Sequence, residues 1–435
     1  MTQLFHMDKH YQHQILELLK SEVAPAMGCT EPIAVALAAA KATELLDCKP
    51  THITIRVSRN ILKNAMGVGI PGTGMRGIPI AAAMGAFGGN SEKKLEVLAD
   101  ATEEEVEAAK TFVKGQNVTV EQKETSEMLY IECLCQKGEQ TATAIIKKEH
   151  TSFFELKVNG EVISIHAGDE ADDHNPSDDD KMPPLTIKRI LKFTISADIE
   201  ELEFLKEAVE MNLAVSKEGL THSYGLQVGK KVMENVEKGI LSPGLINYAQ
   251  SKTCAASDAR MAGCTLPVMT TTGSGNQGIT AMLPIVAVAE RLMKSEEKMI
   301  RALALSNLVT IHIKSKLGKL SALCGAMVAG TGASAGITYL MGGNCKQIEA
   351  AIQNMAGGLT GMICDGAKLG CSLKISAAVN QAIQLALLAI DDVCIGDTDG
   401  IIDHDVEKTI ANVAEIGSQG MVETDKMILE KMICK

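Results

Sequence analysis

The sequence predicts an α+β fold in which a large, mostly helical domain carries a smaller inserted α+β domain. The chain has 435 residues, of which 46% are hydrophobic but only 3% aromatic, with no Trp. A core built from Ala, Val, Ile, Leu and Met favours closely packed helices. Strand-like alternation is confined to about residues 50–167, and long apolar helical segments follow it.

Residues 1–49 predict N-terminal helices that pack on the larger domain, over 8–20 and 30–46. The second begins at Thr30-Glu31-Pro32. Thr30 can cap the helix, an acid in the first turn complements the helix dipole, and Pro32 stands where a missing N–H is harmless. The apolar run that follows, 33–40, predicts that this helix is buried.

Residues 50–167 predict the inserted domain, with an antiparallel or mixed sheet. The alternation in 51–58 indicates a strand, and a glycine-rich stretch and an acidic helix near 91–114 follow it. Further strands are predicted before and after hairpin-type turns, the last turn at Asn159-Gly160. These strands cover 117–123, 127–136, 139–148 and 152–159.

Residues 168–184 predict an acidic linker, because aspartates and prolines dominate the segment and prevent a packed core. Calcium binding by these aspartates is the alternative, but they lack EF-hand spacing. From residue 185 to 435 the chain predicts the helical catalytic domain. Its strongest helical segments are 197–216, 221–238, 278–294, 296–313, 346–357, 374–391 and 404–416.

Two loops share the pattern Gly-x-Gly-x-x-Gly, at 72–77 and 273–278. A dinucleotide site is a weak interpretation, since neither loop follows a convincing buried strand and Pro71 abuts the first. Glycines before a helix also let backbone N–H groups approach an anion such as a carboxylate. Tight turns that only glycine permits are the structural alternative.

Four of the twelve cysteines stand in contexts that indicate chemistry. Cys324, Cys364 and Cys371 lie in runs of Gly, Ala and Ser, and three thiolates are one short of the four that hold an iron–sulfur cluster. Buried structural cysteine is the alternative. Cys29 precedes a helix start, where the dipole predicts a lowered thiol pKa and a reactive thiolate.

Charge and patterning exclude several classes of function. The formal net charge is −12, and no basic stripe interleaved with aromatics predicts nucleic-acid binding. The N-terminus lacks a signal-peptide pattern, and the cysteines suggest reduced thiols, so we expect a cytoplasmic protein. The uncharged stretch 320–344 is long enough to span a bilayer. Its Gly, Ser and Thr content instead predicts a buried helix–loop–helix, so we expect no membrane partner. Ala- and Gly-rich helices make a homo-oligomer possible.

The chain resembles the iron–sulfur L-cysteine desulfidases, which are similar to the α-chain of iron–sulfur L-serine dehydratases. The resemblance covers nearly the whole chain. The motifs that carry it are Met27-Gly28-Cys29-Thr30-Glu31-Pro32, Thr270-Thr271-Thr272-Gly273-Ser274-Gly275-Asn276-Gln277-Gly278, Leu323-Cys324-Gly325 and Ile363-Cys364-Asp365-Gly366 with Gly370-Cys371.

The resemblance implies a 4Fe–4S cluster held by Cys324, Cys364 and Cys371, with one iron open to substrate, and Cys29 as the catalytic base. The implied reaction is α,β-elimination of a small amino acid, L-cysteine, to hydrogen sulfide, ammonia and pyruvate, without pyridoxal phosphate. No recognisable phosphate cup with a Schiff-base lysine is seen in the sequence. The substrate carboxylate would accept hydrogen bonds from Ser274, Asn276 and Gln277.

Three questions stay open at this level. The enzyme could instead be an L-serine dehydratase, because the cluster alone does not select the leaving group. A non-catalytic cluster-binding or zinc-binding sensor is a second alternative. Cys434, the penultimate residue, could occupy the open iron as a tail ligand that substrate displaces.

Overall fold

The structure is a computed structural model that describes residues 7–165, 185–318 and 321–434. The predicted acidic linker, 168–184, lies outside the described residues. The helices are α1 Lys9–Glu22, α2 Thr30–Leu46, α3 Arg59–Ala65, α4 Ile78–Gly88, α5 Glu103–Lys114, α6 Ile187–Ser196, α7 Phe204–Thr221, α8 Val228–Glu237, α9 Leu245–Met261, α10 Gly275–Arg291, α11 Glu296–Leu317, α12 Gly325–Met341, α13 Cys345–Leu359, α14 Cys371–Ile390, α15 Val406–Glu415 and α16 Val422–Ile433. The strands are β1 Pro25–Ala26, β2 His52–Val57, β3 Val118–Gln122, β4 Tyr130–Lys137, β5 Gln140–Lys147, β6 Phe153–Val158, β7 Glu161–Ile165 and β8 Val268–Met269.

A six-stranded mixed sheet forms the smaller part of the fold, in the order β3-β2-β4-β5-β6-β7. Only β2 and β3 are parallel; the other neighbours run antiparallel. Along β2 burial alternates, with Ile53, Ile55 and Val57 facing the core. The α+β class with a mixed sheet and a mostly helical remainder is therefore confirmed.

The two N-terminal helices pack in different places. α1 joins the core of the large helical part, while α2 packs against α4 and strands β4 and β5. The apolar run of α2, 33–40, is buried as its sequence predicts. The sheet-side core thus includes residues before position 50, and the domain boundaries predicted from the sequence stay predictions.

Helix α12 lies at the centre of the helical part and packs on α10, α11, α13 and α14. Almost all of it is buried. It is one continuous helix, so the helix–loop–helix expected between 320 and 344 is wrong. By length and composition, α14 is the one described helix that could cross a membrane, a test that core helices also pass.

The acidic helix predicted near 91–114 is two elements. Residues Ser91–Glu96 form a 3-10 turn that breaks at Lys94, where φ is 50°. Helix α5 begins afterwards at Glu103, because Thr102 and Glu105 form a reciprocal capping box that fixes its start.

Candidate active site

Four helices begin at one cavity of about 130 Å³. The N-cap positions of α2, α10 and α12 are Cys29, Ser274 and Cys324, and Cys371 is the first residue of α14. Each helix start carries unpaired backbone N–H groups and a partial positive charge. Their convergence therefore favours anions in this cavity.

A single antiparallel β-bridge places two of the cysteines together. Leu323 pairs with Ile363, and Cys324 N–H donates to the Met362 carbonyl while Cys364 N–H donates to the Ala322 carbonyl. Cys324 and Cys364 are thus diagonal neighbours on the same face of the bridge, a relation that separates residues by about 7–8 Å. The 39 residues between the two cysteines fold back to make this contact.

Cys371 completes the group from the start of α14. The loop between Cys364 and Cys371 turns at Gly366, where φ is +84° and a Cβ would lie 2.1 Å from the Lys63 carbonyl oxygen. Burial raises the pKa of Cys324 to about 12, and Cys364 adds to the rise. Burial also raises the pKa of Cys371, again with a contribution from Cys364. The three thiols are close enough to act on one another.

The three cysteines suit a cluster better than a single ion. In the ranges that the structure describes, no group of three His, Cys, Asp or Glu side chains could hold one metal ion. A 4Fe–4S cluster does not need such a group, because each cysteine binds a different iron. Lys314, 9% exposed, lies at the same cavity and interacts electrostatically with Cys364 and Cys324. Its charge offsets part of the negative charge that three thiolates would carry.

The residues on either side of Cys29 are hydrogen-bonded to the glycine loop and to α9. Thr30 Oγ1 donates to the Gly273 carbonyl at 2.5 Å, and Arg260 Nη2 donates to the Gly28 carbonyl at 2.9 Å. The Cys29 side chain is buried, and Cys371 packs against the small cluster that contains it. The proposed base and one proposed ligand therefore share a wall of the cavity.

The expectation that the pKa of Cys29 is lowered is wrong for this structure. Burial raises the pKa of this thiol to about 12, and the nearby Arg260 guanidinium only partly opposes the rise. Removing water from around a thiolate raises the pKa more than the nearby cation lowers it. The resting side chain is therefore a thiol.

The second glycine loop reaches the cavity, and the first does not line it. Ser274 Oγ accepts a 3.4 Å hydrogen bond from the backbone N–H of Gln277 and so caps α10. Asn276 Oδ1 accepts from Ser257 and its Nδ2 contacts the Met261 sulfur. Gln277 is 5% exposed, and no described residue forms a hydrogen bond with its Oε1. All three predicted binding residues thus line the cavity, with Gln277 the least engaged.

Four further charged or amide side chains line the cavity and were not predicted as site residues: Glu31, Asn64, Arg260 and Lys314. Arg260 is 4% exposed, and its Nε has no partner among the described residues. It fits because residue 275 is glycine; a Cβ there would lie 2.2 Å from Nε. The charge of Arg260 within the small-residue run 254–264 could have indicated this residue from the sequence. Lys314 has no such signal, because α11 carries other lysines nearby.

A larger cavity of about 390 Å³ adjoins the site and shares Ser321 with it. It lies between the sheet-side loop 122–128 and helix α16, and no cysteine lines it. The smaller cavity, which holds every predicted site residue, is therefore the candidate active site. Cys434 is exposed and lines neither cavity.

Comparison with known proteins shows the family of the chain. The serine dehydratase alpha chain family matches residues 92–430. A UPF0597 protein of Bacteroides thetaiotaomicron is 47% identical over 423 residues, 97% of this chain and 98% of its own. One from Phocaeicola vulgatus is 48% identical over 98% of this chain and 99% of its own, and one from Oleidesulfovibrio alaskensis is 46% identical over 97% of each. The chain therefore belongs to the serine dehydratase alpha chain family.

Proposed function

We propose that the protein is a cytoplasmic carbon–sulfur lyase that converts L-cysteine to hydrogen sulfide, ammonia and pyruvate. One observation carries the proposal: Cys324, Cys364 and Cys371 share a cavity with Cys29 and with an anion-binding loop at a helix start. Membership of a dehydratase family supports β-elimination as the class of reaction.

The three cysteines would hold a 4Fe–4S cluster. When bound, the cluster supplies a Lewis acid at its fourth iron. The chain's own residues bind and orient the amino acid. Arg260, together with the helix start at Ser274 and Gln277, faces the cavity with donors that suit the substrate carboxylate.

Cys29 would take the proton from the substrate Cα. The resting thiol must first lose its own proton to solvent, and the Arg260 guanidinium, which attracts the thiolate, favours that loss. Transfer of the Cα proton to Cys29 and departure of the Cβ sulfur as hydrosulfide, which takes up a proton to give hydrogen sulfide, leave aminoacrylate. This product tautomerises to an imine, and water hydrolyses the imine to pyruvate and ammonia.

L-Serine dehydratase is the second candidate, and the family name favours it. The two substrates differ only in the Cβ leaving group, and no described residue distinguishes a thiol from a hydroxyl by its contacts. A zinc-binding sensor has less support, because the described cysteines do not converge on one ion.

Anaerobic reconstitution with iron and sulfide tests the proposal. We expect a brown protein that releases sulfide and pyruvate in equal amounts from L-cysteine, with a higher kcat/KM than for L-serine. A higher kcat/KM for L-serine would replace the desulfidase with the dehydratase. A cluster-loaded protein that is inactive on both amino acids would refute the lyase.

A further inference from the structure

Glu31 is the one carboxylate that lines the candidate active site among the residues the structure describes. It is the second residue of α2, two positions after Cys29. No Lys, Arg or His of the described chain lies within ion-pair distance of it, and Asn64 Nδ2 donates a 3.1 Å hydrogen bond to its carboxylate. An acid in the first turn of a helix complements the helix dipole when it lies at the surface. The Glu31 side chain instead lines the cavity.

Asn64 supplies a second polar group at the same cavity, and its hydrogen bonding points to a ligand independently of Glu31. It lies on α3, is 8% exposed and lines the same cavity. Because its Nδ2 donates to the Glu31 carboxylate, the orientation of the amide is fixed. Its Oδ1 then remains a buried acceptor with no partner in the part of the chain that the structure describes. A buried acceptor of this kind costs stability unless something donates to it.

The rest of the cavity has the opposite character. Arg260 and Lys314 are cations, and the helix starts add further donors. The cavity therefore holds both kinds of group: the cations Arg260 and Lys314 with the donors of the helix starts, and the acceptors Glu31 and Asn64. Lys314 also interacts electrostatically with Glu31. A ligand that carries both a carboxylate and an ammonium group matches these two kinds of group.

We propose that Glu31 and Asn64 form a subsite for the α-ammonium group of the substrate, so that the cavity selects α-amino acids over α-hydroxy acids and simple carboxylic acids. The inference rests on the proposed function, since it assigns the substrate's amine within the same cavity. Glu31 supplies the negative charge, and Asn64 Oδ1 accepts a further N–H. The two residues are specificity determinants, distinct from the proton acceptor and from the cysteines.

Ligands without a leaving group test the subsite directly. L-Alanine and L-lactate have the same carboxylate and methyl group and differ in an α-ammonium against an α-hydroxyl. Their affinities for the reconstituted protein are measured anaerobically by calorimetry. We expect the wild type to bind L-alanine more tightly by about tenfold or more, as for a buried hydrogen bond to a charged group.

The variant Glu31→Gln keeps the hydrogen bond from Asn64 and removes the charge. It should bring the two affinities together by weakening L-alanine alone, and Glu31→Asp should restore part of the difference. Glu44→Gln, on the same helix but outside the cavity, should leave the preference unchanged. Iron content equal to the wild type shows that the variants are folded and loaded.

Three results overturn the subsite: a wild type that does not prefer L-alanine, a wild type that binds neither ligand, or a Glu31→Gln variant that weakens both ligands equally. Failure of the proposed function is separate. A protein that prefers L-alanine through Glu31 yet eliminates neither thiol nor hydroxyl would keep the ammonium subsite and lose the lyase.

Discussion

Lys63 of α3 forms an ion pair with Asp425 of α16, although 362 residues separate them in the chain. Lys63 is 2% exposed and the Asp425 side chain 15%. The pair joins the C-terminal helix to the element that also carries Asn64. The carbonyl of Lys63 in turn contacts Gly366, in the loop between two of the cavity cysteines.

Breaking this pair should destabilise the protein. Lys63→Met leaves the Asp425 carboxylate poorly solvated and unpaired, and we expect the free energy of unfolding in urea to fall by about 3 kcal/mol. The double variant Lys63→Met with Asp425→Leu should recover much of that loss, because neither charge is then stranded. Equal losses in the single and double variants would show that packing of the lysine stem, not the ion pair, matters.

Glu407 should make stability depend on pH. Burial alone would raise the pKa of this carboxyl, but hydrogen bonds from His312 at 2.7 Å and from the Ile187 amide at 2.7 Å outweigh it, and the pKa is lowered. The ionised carboxyl therefore stabilises the fold above its unfolded pKa of about 4.3. This stabilisation is lost as the pH falls through the lower pKa of the folded state.

We therefore expect Glu407→Gln to cost about 2 kcal/mol of unfolding free energy near pH 5.5. The difference from the wild type should shrink below about pH 4, where the wild-type carboxyl also becomes protonated. Denaturant titrations at several pH values measure it. A difference that stays constant down to pH 3 would mean that the loss comes from shape and not from charge.

The three cavity cysteines should each be needed for iron binding. Cys324→Ser, Cys364→Ser and Cys371→Ser should lower the iron bound per chain after anaerobic reconstitution, since each removes a thiolate ligand. Cys434→Ser is the matched control, because Cys434 is exposed and outside the cavity. Iron loss in the Cys434 variant alone would instead make the tail a ligand.

Cys29 should be needed for turnover and not for iron. Cys29→Ala removes the proposed proton acceptor and leaves the three proposed ligands in place, so we expect unchanged iron content and activity lower by at least about a hundredfold. Iron analysis and sulfide release on one preparation separate the two effects. If colour and activity disappear together, Cys29 is a ligand.

The sequence predicts the fold best where local patterns are strong. The apolar run after Thr30-Glu31-Pro32 predicts α2 over 30–46, as observed. Helix α9 was not predicted, because 12 of its 17 residues are buried and these include polar as well as small side chains, so that no apolar stripe marks one face. Strand β7 was also missed, since Asn159-Gly160 was interpreted as the end of the sheet.

The site was predictable by residue type and not by contact. Cysteines among glycines indicate a site in a sequence, and the four cysteines predicted as site residues all line one cavity. The bridge between Leu323 and Ile363, which places Cys324 beside Cys364, leaves no local pattern. The raised pKa of Cys29 was equally hidden, because burial is a property of the assembled helices.

The four helix starts that meet at the cavity have a consequence for synthesis. Cys29 leaves the ribosome roughly 340 residues before Cys371. At about 5–20 residues per second, that interval lasts on the order of 20–70 s. During this interval the cavity thiols already synthesised lack some of the helices that later bury them. The proposed cluster would therefore bind only after α14, which begins at Cys371, has been synthesised, and a chain that ends before this helix would lack one of the three proposed ligands.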